Sequence, residues 1–523
     1  MDSNPQFSIW RERLWPVHWH EHRKLVPMLL IKFFITFIYT ILKDAKDTLI
    51  VTSAGSGAEA IPVLKGWLVL PAAFVFMFAY SRLSDFLSRR ALFYTTLSSF
   101  LVFFFLYGFV LYPLRDVLCP HQSADAMLEV MGKHRQHWIA VYRYWMNSLF
   151  FVAAELWGGM AIGVLFWDFA NQITKMEEAK RFYAIFSAGG DLAVIIAGPL
   201  IWYYSNTLSH LNFELTLQVL MGYVLVLGLF TILTYYWFDK NVLSKEATNP
   251  VNKVPKPKKK KPSFFESLRF VLNSPYLYSL GFMIIAYGLS FNLVEVAWKA
   301  ALKLKYPDPH SYQSFMGKAS LATGVLSLLV TLFVGGNVIR HFGWFFTAQL
   351  TPAIIGISSL LFFYAYLGQN SLQTYILLLG ITPLTLVIFL GAVHNVLGKT
   401  AKYSFFDPTK EMAFIPLDEE LKVKGKAAVD VVAARLGKSG SSWIQVAFIE
   451  LFGTGSILGI VHWLLPFVLF TVLCWVYAIK VLNQYFIKAD HDEEDINEAS
   501  GVKQAQNTLA QVPDVALSSP SKS

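Results

Sequence analysis

Apolar runs of about twenty residues, repeated along nearly the whole chain with short polar breaks, leave this sequence few ways to fold. They cover 25–46, 61–81, 91–113, 138–169, 182–204, 216–238, 274–299, 314–337, 344–366, 371–398, 427–452 and 456–482. Each is long enough to cross the hydrocarbon core of a bilayer. In lipid every backbone N–H and C=O must bond within the protein, which allows only helices or a closed barrel. A barrel would alternate apolar and polar residues over segments of about ten, and the runs do not alternate. The expectation is an all-α integral membrane protein of about 12 transmembrane helices in two six-helix halves. Only 15% of the 523 residues are charged, against about 25% in soluble domains.

The charges that exist are placed unevenly. Arg82, Arg89 and Arg90 follow the second run, Lys175, Lys180 and Arg181 the fourth, and Lys253, Lys256 and Lys258 to Lys261 the sixth. Lys399, Lys402, Lys410, Lys422, Lys424 and Lys426 follow the tenth, whereas 205–215, 367–370 and 453–455 carry no Lys or Arg. Cytoplasmic loops are the Lys/Arg-rich ones, so both termini and the central linker are expected in the cytoplasm. Arg115, Lys133, Arg135, Lys303 and Lys305 depart from the alternation without reversing it. This placement accounts for the net charge of +9 without nucleic acid as a partner. The Lys- and Pro-rich linker reads as a solvated tether towards lipid.

The expected divisions are a cytoplasmic N-terminus at 1–24, a six-helix half at 25–238, a basic linker at 239–273, a second half at 274–485 and a disordered tail at 486–523. The first run is too long for a signal-peptide core, and the residues before it are not Arg- and Ser-rich as in a transit peptide. Cys119 falls in a loop and Cys474 in a span, a poor arrangement for a disulfide. No spacing suggests a metal site, and no cofactor is expected.

Two sets of six spans resemble the major facilitator superfamily. In YSRLSDFLSRRALF, Asp85 and Arg89 stand where that superfamily keeps its gate motif between spans two and three, although the leading Gly is absent. GGNVIRHFG occupies the equivalent place in the second half, with Gly336, Arg340 and Gly343 but no acid. Plain positive-inside charge would account for the second copy equally well.

A charge at the bilayer centre costs at least about 2.5–3.5 kcal/mol on insertion scales, so such residues mark a pairing or a pathway. Span one holds Lys32, Lys43, Asp44, Lys46 and Asp47. At 3.6 residues per turn the three lysines fall within about 60° of one another, a basic stripe on one face. Lys43 and Asp47 are four apart and form the expected pair. Lys46 and Asp47 lie near a helix end, within snorkelling reach of water. Span four holds Arg143, Asn147 and Glu155, with Asp168 near its end. Glu155, among small residues in AAELWGG, sits mid-membrane, and a lysine of span one is its natural partner. Asp191 follows Gly189–Gly190, with Gly198–Pro199 beyond, a pattern for a bent gate helix or for close helix packing. Span seven carries Asn292, Glu295 and Lys299 on one face. Span eleven carries Asp430, Arg435 and Lys438, and Lys438 is nearest the midplane. Lys65, at the start of span two, reads as an interfacial lysine.

Excess cations lining a cavity imply an anionic, phosphorylated ligand. Tyr142, Tyr144, Trp145, Phe150, Phe151 and Trp157 could stack a base, at about 1–3 kcal/mol per base. LGKSG at 436–440 is not a phosphate loop, because Val432 stands where the first Gly belongs and no strand precedes it. No nucleophile elbow, zinc motif or kinase set appears. A membrane transferase would need acid/base or metal chemistry that is absent, and a scaffold would not need charges inside several spans. A proton-coupled symporter of nucleotides or another organophosphate, with Glu155 or Asp191 as its proton site, stays open beside an exchanger.

Four long strings add a second line of argument. They are ILKDAKDTLIVTSAGSGAEAIPVLKGW at 41–67, AELWGGMAIGVLFWDFANQIT at 154–174, VEVAWKAALKLKYP at 294–307 and KYSFFDPTKEMAFIPLDEELKVKGKAAVDVVAARLGKSG at 402–440. Through them the chain resembles the ATP/ADP translocase family of plastids and obligate intracellular bacteria, over about residues 20–485, and is nearest its chlamydial members. The resemblance implies exchange of external ATP for internal ADP across a bacterial inner membrane, with phosphate co-movement left open. A single chain is the expected working unit. It also implies that Lys65, Glu155, Glu295 and Lys438, which match charged positions of the family's transport motifs, serve transport.

A mechanism follows as an expectation. Lys43, Lys46, Arg143 and Lys438 lining an empty, dry cavity would repel one another. Bound polyphosphate would relieve that repulsion, so only the loaded carrier would cross. Lys438 and a lysine of span one would hold phosphates, and Asp47, Asp85, Arg89, Asp191 and Lys299 would act as gate or pairing residues.

Overall fold

The computed structural model describes residues 17–174, 176–243, 274–378, 380–414 and 433–510. Most of the linker, Asp430 with the start of the eleventh predicted span, and 511–523 lie outside the described residues, as do the side chains of Asp168 and Lys180. Ten described stretches are long and apolar enough to cross a membrane. They are α1 (His22–Thr52), α2 (Ala60–Phe86), α3 (Arg89–Leu111), α4 (Trp145–Asn171), α5 (Arg181–Thr207), α6 (Phe213–Val242), α7 (Pro275–Lys305), Pro309–Leu367, α10 (Pro383–Met412) and α12 (Leu458–Tyr485). The stretch Pro309–Leu367 holds two helices, α8 (Pro309–Val330) and α9 (Gly336–Leu367). Near the start of α9 the backbone turns at Gly343, whose φ of 76° suits glycine. α11 (Ala434–Phe452) carries Arg435, Lys438 and Glu450 within 19 residues and stands outside the ten. About twelve spans are compatible with this arrangement. The helix that includes α12 continues to Ala510, through the start of the tail read above as disordered.

Helix starts follow capping chemistry. The Asp308 carboxylate accepts from Ser311 N–H at 2.9 Å, with Pro309 in the first turn, where its missing N–H costs nothing. Thr382 and Pro383 open α10 in the same way. This corrects the tenth span. Residues 371–378 belong to a separate short helix, Gln369–Leu378, and the chain turns at Gly380 with φ 73° before α10 begins. The apolar run concealed that break, because neither segment changes composition across it.

Successive helices reverse direction, so the loops alternate between two faces. The first face carries 53–59, 132–136, 208–212, 306–308 and 453–457, and the second carries 87–88 and the end of α10 at 413–414. One buried apolar cluster draws on residues from Val17 to Phe238. Another runs from Tyr276 to Leu482 and takes in Ile50, Val51, Ile61, Leu64 and Phe151 from the earlier helices. Between helices in lipid the driving terms are close packing and polar contacts, not water exclusion. α5 and α8 accordingly meet backbone to backbone. A Cβ at Gly198 would lie 2.7 Å from Gly317 O, and one at Gly317 would lie 2.8 Å from Gly198 O.

At the second face, Glu21 just before α1 is clamped by the guanidinium of Arg181 at 2.5 and 2.9 Å, which ties the chain entry to α5. Burial pushes the Glu21 carboxyl up, but Arg181 and the His18 N–H outweigh it and hold it below its usual value. A depressed carboxyl stabilises above its unfolded pKa and loses that contribution as pH falls through the folded value. Glu21→Gln should therefore lower stability by about 1 kcal/mol at neutral pH. The difference from wild type should vanish in acid, as read by thermal unfolding in detergent across pH. A difference that persists in acid would show that the pair is not its source.

Candidate functional site

Two walls of the central cavity are π-helical, and their wider turns set its side chains. Leu64–Val69 in α2 carries Lys65, and Gly158–Phe166 in α4 follows Glu155 by three residues. Such turns inside α-helices are frequent at functional sites. The third wall is the start of α11. Together they enclose about 350 Å³, lined by Lys65, Glu155, Arg435 and Lys438 beside Val69, Leu70, Met77, Leu156, Met160 and Val164. The cavity extends from Lys65 and Glu155 towards the second face. Its polar wall sets three cations against one carboxylate. Among the described residues neither Arg435 nor Lys438 forms an ion pair, and Lys438 is exposed to the cavity.

From Glu155 an alternating chain of charges runs through the bundle. Lys46 Nζ lies 3.1 Å from Glu155 and 2.8 Å from Asp47. The other oxygen of Asp47 meets Lys299 at 2.8 Å, and Lys299 reaches Glu295 at 3.4 Å. Glu295 then faces Lys399 at 3.6 Å and Lys65 at 3.7 Å, while Lys65 donates to Asn292 at 3.0 Å. Asp47–Lys299 and Lys65–Glu295 join the first six helices to the later ones. Lys46, Asp47 and Lys299 are each at most 2% exposed, and Lys46 also sits 4.1 Å over the Phe151 ring. Buried charges persist only when paired in this way.

The structure rearranges several expectations. Lys46 and Glu155 pair as the span-one partnership implied, and Glu295 and Lys299 share their face. Lys43 does not pair with Asp47. It meets Asp44 at 3.3 Å, and Ser320 of α8 bonds to both. Asp47 instead bonds Lys46 and Lys299, each at 2.8 Å. Lys32 leaves the basic stripe and lies over the Phe166 and Trp167 rings, near Asp191. Arg143 pairs with Asp125 at the first face, away from the cavity. Asn147 accepts from Tyr107 and lines a separate cavity of about 330 Å³. With Lys43 and Lys46 neutralised and Arg143 elsewhere, these three do not supply the repulsion expected of an empty site, and the cation surplus falls instead to Arg435 and Lys438. Asp85 is exposed and makes no ion pair among the described residues, while its neighbour Arg90 bonds Asp239 at 2.8 Å.

The aromatic residues expected to stack a base do not line the cavity. Phe150 stacks on Tyr107 at 4.3 Å, Trp157 packs among Phe100 and Phe104, and Trp145 bonds Leu118 O. The apolar wall is instead aliphatic and methionine.

Lys399 was the cation passed over as a loop residue, while Arg435 was placed on span eleven without a role. Starting the tenth helix at 371 places Lys399 beyond its end. Starting it at Pro383 leaves Lys399 about 24 Å along the helix at 1.5 Å per residue, still within the bundle. The buried pair His394 and Asn395 on that helix was the available signal.

The first face is fastened across the two sets of helices. Glu59 accepts from Ser456 Oγ at 3.1 Å and from Ile457 N–H at 3.2 Å. Glu450 accepts from Trp138 Nε1 at 2.9 Å, and Lys303 donates to Ser56 O. Ser314 donates to Asn206 at 2.9 Å. His137, 3.4 Å from Glu450, is pushed below the usual histidine range by burial, which outweighs the carboxylates of Glu450 and Glu59.

The family model described as TLC ATP/ADP transporter matches residues 1–486. ADP,ATP carrier protein 1 of Chlamydia pneumoniae is 44% identical over 489 residues, covering 92% of this chain and 95% of that protein. The chloroplastic ADP,ATP carrier protein 1 of Arabidopsis thaliana is 42% identical over 491 residues, covering 92% of this chain and 77% of that protein. Among solved structures, the nucleoside transporter NupG superposes with a TM-score of 0.54 at 12% identity, over 87% of this chain and 99% of that one. A bacterial homologue of the iron transporter ferroportin gives 0.53 at 16% identity, over 91% and 99%. These likenesses show a fold of the major-facilitator kind.

Proposed function

The chain belongs to the TLC ATP/ADP transporter family, and from that premise we propose that it exchanges ATP for ADP across a membrane by alternating access. It is a multi-pass membrane protein. The Lys/Arg-rich loops favour a cytoplasmic second face and cytoplasmic termini. The chlamydial and rickettsial relatives favour a bacterial inner membrane, with host ATP entering against bacterial ADP. One chain supplies both sets of helices, so a monomer suffices.

The observation that carries the reading is the cavity wall with three cations against one carboxylate. A polyphosphate fits that surplus, with Arg435 and Lys438 as its first contacts, because among the described residues neither is engaged elsewhere. Charge-assisted hydrogen bonds are the strong ones, and guanidinium adds bidentate geometry. The base lies against Met77, Met160 and the aliphatic wall, where a polarizable thioether suits an aromatic ring. A phosphate that reaches Lys65 competes with Glu295, and one that reaches Lys46 competes with Glu155. Binding would thereby loosen Lys65–Glu295, which spans the two sets of helices, and so couple cargo to rocking about a midplane site.

The test is uptake of labelled ATP into proteoliposomes, with GTP, CTP and NAD as competitors. Uptake should require internal ADP. Lys438→Gln and Arg435→Gln should each weaken ADP binding about tenfold, the value of one lost charged hydrogen bond. Uptake that ignores internal ADP and follows a pH gradient would overturn exchange. Unchanged ADP binding in both variants would move the phosphate site elsewhere.

A further inference from the structure

A second concavity lies outside the bundle, between α1 and α6. It holds about 650 Å³ and is lined by His22, Arg23, Val26, Pro27 and Leu30 of α1 with Leu233, Thr234 and Trp237 of α6. Val26, Leu30, Leu233 and Trp237 are between 39% and 59% exposed, so the walls are apolar and open sideways. Phe34 and Phe230, with ring centroids 6.0 Å apart, continue the same two helices one turn deeper. From Arg23 to Phe34 the groove runs about 16 Å along α1 at 1.5 Å per residue.

Its mouth is basic. Lys24 is neutralised by Glu178 at 2.6 Å. Arg23 is exposed and has no carboxylate partner among the described residues. Trp19, 85% exposed, lies beside His22 with ring centroids 5.3 Å apart, the position of an interfacial aromatic anchor. Pro27 supplies no N–H, so the carbonyl of Arg23 cannot receive its i+4 helical bond. The mouth thus offers one guanidinium with no carboxylate partner among the described residues and one carbonyl deprived of its i+4 donor, directly above an apolar channel that faces the bilayer.

We propose that this groove is a site for an anionic phospholipid with a hydroxylated headgroup. The phosphodiester sits on Arg23, a headgroup hydroxyl donates to the Arg23 carbonyl, and one acyl chain lies along Val26, Leu30 and Leu233. Basic pockets between transmembrane helices at the membrane surface select lipids in this way. A zwitterionic lipid fills the channel but presents its own cation near Arg23. Free phosphate satisfies Arg23 but leaves the channel to detergent.

The experiment is native mass spectrometry of the full-length protein in neutral detergent. Phosphatidylglycerol and phosphatidylcholine of identical chains are offered in equal amounts, with and without inorganic phosphate. Wild type should retain the glycerol lipid about fivefold over the choline lipid, the effect of one basic residue near the surface. Arg23→Gln should lose most of that preference and keep only the share of the headgroup hydroxyl, whose acceptor is backbone. Leu233→Trp, which fills the channel and keeps Arg23, should lose retention of both. Equal retention by wild type, an unchanged preference in Arg23→Gln, or displacement by phosphate alone would each overturn the site. If Arg23→Gln is not recovered folded, full retention by Leu233→Trp overturns it on its own.

Discussion

Asp47→Ala is expected to destabilise the protein by about 3 kcal/mol, towards the lower end of the range for breaking a buried ion pair. Asp47 is 1% exposed and holds Lys46 and Lys299, both 2.8 Å away and both 2% exposed. Its loss does not strand them completely, because Lys46 keeps Glu155 at 3.1 Å and Lys299 keeps Glu295 at 3.4 Å. Those remaining bonds set the lower figure. The yield of monodisperse protein in detergent should fall and the melting temperature should drop. Combining Asp47→Asn with Lys299→Met should recover more than half of the loss, since neither charge is then left bare. Pairing the same change with Lys43→Met should recover nothing, because Lys43 belongs to Asp44 and Ser320. Recovery through Lys43 would restore the i,i+4 pairing read from the sequence and refute the network.

Gly198→Leu should be comparably damaging, through contact rather than charge. Its Cβ would lie 2.7 Å from Gly317 O and 2.7 Å from Leu321 N, against the roughly 3.5 Å of a relaxed contact. Both neighbours are backbone atoms and cannot step aside as a side chain could, so α5 and α8 must separate. Overpacking of this kind costs about 1–3 kcal/mol and occasionally more. Exchange should fall with stability, because α5 and α8 belong to different sets of helices. Gly222→Ala in α6, with nothing within 4 Å of its Cβ, is the control and should match wild type. Equal melting temperatures and exchange rates for Gly198→Leu and Gly222→Ala would disprove the close contact.

The spans and the pairing of Glu155 with a lysine of span one were legible in the sequence because lipid penalises charge so heavily. What could not be read was which partner each charge chooses. Asp47 lies four residues from Lys43, yet its bonds go to the adjacent Lys46 and to Lys299, which is 252 positions along the chain. Sequence spacing reports neighbours on one helix and is silent about the helix opposite. Lys65 looked interfacial for the same reason, since its partners Glu295 and Asn292 stand on α7. Gly198–Pro199 could be read as a bend or as packing, and only the position of Gly317 decides for packing. The aromatic residues of span four misled because abundance gives no direction. Phe150 and Trp157 fill the first cluster, Phe151 joins the second, Tyr142 and Trp145 are exposed, and methionine, less conspicuous, faces the cavity.

The fastening at the first face bears on leakage. Glu59, Glu450, Ser56 and Asn206 each hold a partner from across the two sets of helices. At about 1 kcal/mol per bond, several broken together slow an unassisted opening by about a thousandfold. An idle carrier of this design stays shut towards one solution by default, without needing repulsion in its empty site. Cargo must supply the difference. A membrane fitted with such a protein would trade its nucleotides at speed while scarcely draining them.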